Sequence, residues 1–240
     1  MGASGGPNAV HDGLVLALDA ADKISFSSGS TTWTDLSSNS NNGTLSAGTM
    51  GTVSGSNTIA FDGSSDEVSI ANDSTLNFGA SGDFTLECVV KLNTADDNLM
   101  ILGKENGHFG QGYSIRIEES GTSNNWGVQL HVEQSDGTQY RFISSQTLGQ
   151  TFIHIIASFD RSNTLPTLHI NGEAVTATSM NSNLSALGDL DVAQEFTIGA
   201  DSGGSRNING QVPLVRVYNK ALDNKQVINN FNILKSRFGV

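Results

Sequence analysis

The sequence predicts an all-β fold, two antiparallel sheets packed face to face, with one short helix after the final strand. Three observations carry this. Apolar and polar residues alternate in short runs that recur every ten or so residues, as in DFTLECVVKL and WGVQLHVEQ. Tight-turn dipeptides separate such runs, with Asp136-Gly137 between LHVEQ and TQYRF, and Asn171-Gly172 between TLHI and EAV. Near Asp223 the apolar spacing changes from two to about 3.6, the helical period.

Taken in order, MGASGGPN reads as a flexible arm, residues 1–8, and the remaining 9–240 as one domain. GLVLALDA is a compact first strand, and TTWTDLSSNSNNGTL is a strand remnant opening into a polar loop. NTIAFDGSSDEVSI reads as a hairpin about Asp62, Gly63, Ser64 and Ser65, since glycine supplies the positive φ such a turn requires. DFTLECVVKL sets Phe84, Leu86, Cys88 and Val90 on one face. Strands continue through MILGKENGHFGQGYSIRIEE, WGVQLHVEQSDGTQYRFIS and TFIHIIASFDRSNTLPTLHINGEAV. TSMNSNLSALGDLDVAQ is a long loop before the strands in EFTIGAD and INGQVPLVRVYNKAL. Asp223 then caps a closing helix of about 223–237, with Gln226 in the capping-box position. Val227, Ile228, Phe231, Leu234 and Phe238 form its apolar stripe, Lys235 and Arg237 complement its C-terminal dipole, and Gly239 ends it. A helix joined to a strand by a short loop buries such a stripe on its own domain; docking on a partner is the alternative.

The totals bound the function. With 37% hydrophobic and 15% charged residues, the 240-residue chain holds enough apolar material for one core. A net charge of −12 with no Lys/Arg cluster excludes nucleic acid and anionic membrane surfaces as partners. Cys88 is the single cysteine, so no internal disulfide forms. The opening residues lack the basic and apolar regions of a signal peptide, and no apolar run reaches membrane-spanning length.

GLVLALDA, TWTDLSSNSNNGTL, AFDGSSDEVSI, DFTLECVVKL, LHINGEAV, FTIGAD and VRVYNKALDNKQVINNFNILKSRFGV together resemble the laminin-G-like, concanavalin A-like jelly-roll domains of tailed-bacteriophage virion structural proteins. The resemblance runs from about Asn8 to Val240, and its most specific element is the closing strand with YN-x-AL, followed by a helix containing NF and ending in R-[FY]-G. It implies a two-sheet jelly roll displayed on a capsid, tail or fibre. Synthesis in the host cytoplasm, where thiols stay reduced, is consistent with a lone cysteine.

Catalytic patterns are missing. Glucanases of this fold place carboxylates on alternate residues of one strand; GDLDVAQE offers Asp189 and Asp191, but Glu195 comes too late. No G-x-S-x-G elbow is present. His131, His154 and His169 lie in strand-like runs, as hydrogen-bonded structural histidines do, and one cysteine without a His-x-x-x-His leaves zinc unsupported. For Ca²⁺, which the resemblance places at a sheet rim, the candidate oxygen donors are Asp62 with Asp66, Asp160 with Asn163, and Asp201, each equally a turn former. For a sugar, the candidate aromatic platforms are Trp126 and Tyr140, although an indole is usually buried in large part and a Trp126 that caps the sandwich core is the favoured reading. The sequence therefore predicts a non-enzymatic virion protein, a capsid decoration or head-fibre unit, binding other virion proteins as a homo-oligomer. A carbohydrate-binding adhesin or tail-fibre module is the alternative, and a glycan hydrolase the least favoured.

Overall fold

A computed structural model describes residues 9–46, 52–53, 56–94, 96, 98–119, 126–144, 146–179 and 183–240; the expected arm, residues 1–8, lies outside them. The strands are β1 (Leu14–Asp19), β2 (Thr32–Trp33), β3 (Gly43–Leu45), β4 (Thr52–Val53), β5 (Ser56–Asn57), β6 (Ile59–Asp62), β7 (Val68–Ile70), β8 (Phe84–Thr94) and β9 (Met100–Glu105). They continue as β10 (Gly112–Glu119), β11 (Trp126–Glu133), β12 (Gln139–Ser144), β13 (Ile153–Phe159), β14 (Thr167–Ile170), β15 (Glu173–Val175), β16 (Ala177–Ser179), β17 (Phe196–Ile198) and β18 (Asn209–Tyr218), before helix α1 (Asn224–Phe238).

Two antiparallel sheets form the sandwich, and β4 and β5 pair with each other as a separate two-stranded sheet. The seven-stranded sheet runs β1-β18-β8-β13-β14-β15, with β6 also beside β18, and the nine-stranded sheet runs β16-β12-β11-β10-β9-β17-β7-β3-β2. Their facing sides make one core. Phe84, Leu86, Cys88 and Val90 point into it as their alternation requires, opposite Tyr113, Ile115, Ile117, Val128, Leu130 and Val132 from the other sheet. Phe84 stacks on Phe78 and Phe159, with centroids 4.6 and 4.3 Å apart. Burial pushes the Cys88 thiol up, and the residue behaves as a small apolar group.

Local turn chemistry is obeyed at two predicted hairpins. Gly137 is left-handed between β11 and β12, and Asn171 and Gly172 are both left-handed between β14 and β15, with φ of 52° and 79°. Residues 59–70 depart from expectation. They form no hairpin: β6 pairs with β18 in one sheet, while β7 pairs with β3 and β17 in the other. Asp62 does close a turn, accepting from the Ser64 and Ser65 N–H groups at 2.8 and 3.1 Å. Ile59 and Phe61 reach the shared core from one sheet and Val68 and Ile70 from the other, so this turn carries the chain across the sandwich. The segment expected as one long loop contributes β16 at the edge of the nine-stranded sheet and a 3₁₀ turn at Leu184–Ala186.

Helix α1 is built as its sequence dictates. The Asp223 side chain accepts from the Gln226 N–H at 2.8 Å, the Gln226 side chain accepts from the Asp223 N–H at 3.1 Å, and Gly239 closes the helix at φ 69°. It packs on the outward face of its own seven-stranded sheet, Leu234 and Phe238 against Val89 and Leu214, and Val227 beside Leu14 and Tyr218. The buried stripe differs from the predicted one, since Ile228 and Phe231 are half-buried and Asn230 is fully buried.

Asn230 is inside because a charge is there. Glu87 on β8, wholly buried, accepts from His154 Nε2 and Arg216 Nη1, both at 3.0 Å, from Asn230 Nδ2 at 2.8 Å and from the Tyr218 hydroxyl at 3.2 Å. Burial pushes this carboxyl up, but Arg216, His154 and Tyr218 outweigh it and hold it below the ordinary value of 4.5. Asn230 Oδ1 in turn accepts from the Val10 N–H at 3.0 Å.

Removing the charge takes from the buried Arg216 guanidinium the carboxylate it faces, so Glu87→Gln is expected to lower stability by about 3 kcal/mol in urea unfolding. Because the folded value is depressed, the stabilisation is complete above pH 4.5 and is lost as pH falls from there through the folded-state value. A wild-type melting temperature that drops steeply only in that acid window, and more shallowly in the variant, is the expected outcome.

Candidate functional site

At one end of the sandwich the turn after β6, the end of β8 and the loop between β17 and β18 surround a cavity of about 560 Å³. Asp62, Ser64, Thr94, Asp96, Arg206 and Asn207 line it. Asp201, 2% exposed, shapes this rim. Its Oδ1 accepts from the Gly203 and Ser205 N–H groups at 3.1 and 2.9 Å, and its own N–H donates to the Ser205 carbonyl at 2.9 Å. The knot leaves Arg206 exposed and left-handed, φ 58°, with its carbonyl accepting from the Met100 N–H at 3.0 Å. Both polar atoms of the Asn207 amide are shielded and lack a hydrogen-bond partner.

The electrostatics of the rim are acidic. Hydrogen bonds from the Ser64 and Ser65 N–H groups and the Ser64 hydroxyl hold Asp62 below the usual carboxylate range. Burial, and then the Asp62 charge, push Asp66 up; its Oδ2 accepts from the Asp62 N–H at 2.9 Å. Burial also raises Glu67, with Glu195 and Asp201 adding to it.

The calcium candidates are arranged as turn formers. Asp62 and Asp201 are engaged as described, and Asp160 Oδ1 accepts from the Ser162 N–H and hydroxyl at 2.9 and 2.6 Å. Asn163 donates its N–H to the Asp160 carbonyl at 3.0 Å. Among the described residues no three His, Cys, Asp or Glu side chains are grouped to hold a metal ion.

The aromatic candidates are both buried. Trp126 is 0% exposed, its Nε1 donating to the Gly149 carbonyl at 3.2 Å, and Tyr140 is 3% exposed, its hydroxyl donating to the Ala186 carbonyl at 3.1 Å. The alternation of β11 sets Trp126 inward with Val128 and Leu130, and the backbone bridge to Leu148 closes over it. Asp189 and Asp191 lie in a loop, where Asp191 Oδ1 accepts from the Gly79 N–H at 2.6 Å and Asp189 Oδ1 from the Asp191 N–H at 3.0 Å.

A second polar group, unseen in the sequence, lies on the outward face of the nine-stranded sheet. Glu105 on β9 accepts from the Ser114 hydroxyl, Arg116 Nη2 and His131 Nδ1, the last at 2.8 Å, and all four residues are buried. Burial pushes the Glu105 carboxyl up, but His131 and Arg116 outweigh it and hold it low. The available signal was alternation: these residues interleave with core positions on their strands and must point away from the core.

A family profile described as the concanavalin A-like lectin/glucanases superfamily matches residues 61–228. Among solved structures, the binding domain of Paraclostridial mosquitocidal protein 1 aligns with a TM-score of 0.68 at 19% identity, over 92% of this chain and 52% of that one. The botulinum neurotoxin serotype G binding domain gives 0.67 at 10% identity, over 93% and 51%. The serotype D ligand binding domain, in complex with N-acetylneuraminic acid, gives 0.66 at 11% identity, over 93% and 51%. The chain thus spans about half the length of these toxin domains, and at such identities the likeness is one of fold. No curated protein matches the chain.

Trp126 as a core residue predicts that Trp126→Ala lowers stability by about 3–5 kcal/mol, measured by urea unfolding. A change below about 1 kcal/mol would return the indole to the surface.

Proposed function

The chain belongs to the concanavalin A-like lectin/glucanases superfamily, and from that premise we propose that it is a non-enzymatic binding module that takes a glycan in the rim cavity. The observation that carries this reading is the cavity of about 560 Å³ and its polar lining, Asp62, Ser64, Asp96, Arg206, Asn207 and Asn209. That volume suits a small ligand, and the lining offers carboxylates, an amide and a guanidinium, the donor and acceptor mixture that hydroxyls complement. The serotype D neighbour, seen with N-acetylneuraminic acid, supports a carbohydrate as the ligand class. Catalysis is disfavoured because Asp62 is bonded to its own turn and Asp189 and Asp191 serve their loop.

The place of display follows from the sequence resemblance. The closing strand and helix support an exposed unit on a tailed-bacteriophage virion, a capsid decoration or head fibre anchored by other virion proteins. Several copies would multiply a weak sugar contact by avidity.

Glycan-array screening followed by titration calorimetry tests the binding site. A wild-type signal on neutral glycans is expected, reduced at least about tenfold by Asn207→Ala with the melting curve preserved. An array without signal, or binding indifferent to Asn207 and to Asp62→Ala, overturns the rim reading. Light scattering that finds only a monomer would remove the multi-copy element.

A further inference from the structure

Each sheet carries, on the face turned from the core, a buried glutamate gripped by an arginine and a histidine. One set is Glu87, Arg216 and His154, and the other is Glu105, Arg116 and His131. Their covers differ. Helix α1 roofs the first set, with Asn230 bonded to Glu87 and Phe231 stacked on His154, and no atom of Glu87, His154, Arg216, Tyr218 or Asn230 is left buried and unpartnered.

The second set is roofed by a short loop, residues 106–111, between β9 and β10. Around it Gln129 Oε1, His131 Nε2, Glu133 Oε2 and Arg141 Nε are buried without partners, and Gln129 and His131 are each 0% exposed. Strand register makes these residues neighbours on one outward face: His131 stands opposite Ser114 and Arg141, and Gln129 opposite Arg116. Buried polar atoms in folded proteins are nearly always satisfied, so a cluster of unmet ones marks a place built for something else.

The cover itself is strained. Phe109 has φ 53°, a left-handed backbone that a bulky L residue rarely adopts. Its half-buried ring lies 4.5 Å from the Arg116 guanidinium carbon and 4.9 Å from that of Arg141, with its centroid 4.9 Å from the His131 ring. Side-chain hydrogen bonds tie the loop down, Gln139 Nε2 to the Phe109 carbonyl and the Gly107 N–H to the Ser202 hydroxyl, each 3.0 Å, Gln111 Nε2 to the Asp191 carbonyl at 2.6 Å and Gln194 Nε2 to Asn106 Oδ1 at 3.2 Å; only the first of these is made at Phe109.

We propose that this outward face is a second binding site, for a neutral saccharide ring, and that Phe109 is the cover the ring displaces. The unmet atoms choose the chemistry. Gln129 Oε1 and Glu133 Oε2 accept, Arg141 Nε donates, and His131 Nε2 accepts in the neutral ring and donates in the imidazolium. A hydroxyl does both. Three carboxylates, on Glu105, Glu118 and Glu133, stand with two guanidinium groups, on Arg116 and Arg141, which disfavours an anionic ligand. The cover loop meets the rim loop at Ser202, so the rim is disabled first and the two sites are read separately.

The test uses the full chain with the rim disabled by Asn207→Ala, and neutral gluco-, xylo-, manno- and galacto-oligosaccharides as calorimetric probes. Adding Phe109→Ala is expected to tighten binding of at least one probe about tenfold, because the cover no longer competes, and a further Gln129→Ala is expected to abolish the gain. No gain on opening, or a gain untouched by Gln129→Ala, overturns the proposal. If Phe109→Ala compromises folding, amide exchange on the full chain carrying only Asn207→Ala decides. Faster exchange at residues 106–111 with saturating saccharide supports displacement of the cover, and unchanged exchange overturns it.

Discussion

A carboxylate that keeps its charge away from water constrains everything that touches it. Glu87 sits at the middle of the seven-stranded sheet, and its four partners come from β13, β18 and α1. A buried charge left with an incomplete set is strongly destabilising, so these elements are not free to move apart. The helix is thereby part of the sandwich. Asn230 passes the constraint on to Val10, which fixes the approach to β1 as well.

The nine-stranded sheet solves the same problem less completely. Glu105 has Arg116, His131 and Ser114, but its roof is a loop with one aromatic side chain instead of a helix. Rigidity and openness are therefore divided between the two outward faces. The rim divides labour in a similar way: Asp201 fixes the backbone of its loop, while neighbouring Asn207 is left with an amide that bonds to nothing. Satisfaction is incomplete at both proposed binding places and complete around Glu87.

What the sequence disclosed was local. The Asn171-Gly172 turn, the Asp223–Gln226 capping box and the inward row from Phe84 to Val90 depend on residues a few positions apart, and each stands as its chemistry demands. What it hid was tertiary. Arg216 reaches Glu87 across 129 positions, and polar residues alternating along a strand read as solvated until a helix or loop covers them. The Asp62 turn shows the same limit from the other side, because identical turn chemistry serves a hairpin or a crossing between sheets, and only the partners decide. Trp126 follows polar residues, but its own position belongs to the inward row of β11, as the usual burial of an indole favours.

Pro213 sits in β18 at a bulge between Gln211 and Leu214, where the strand changes neighbours from β6 to β1. A proline has no N–H to offer either one, so the seam falls where none is needed. The order of events during synthesis follows from this seam. Strands β1, β6 and β8 leave the ribosome long before the strand that joins all three, and until residues near 210 emerge the sheet cannot close. The nascent chain waits with open strand edges, and assembly of the whole sandwich is timed by one late segment.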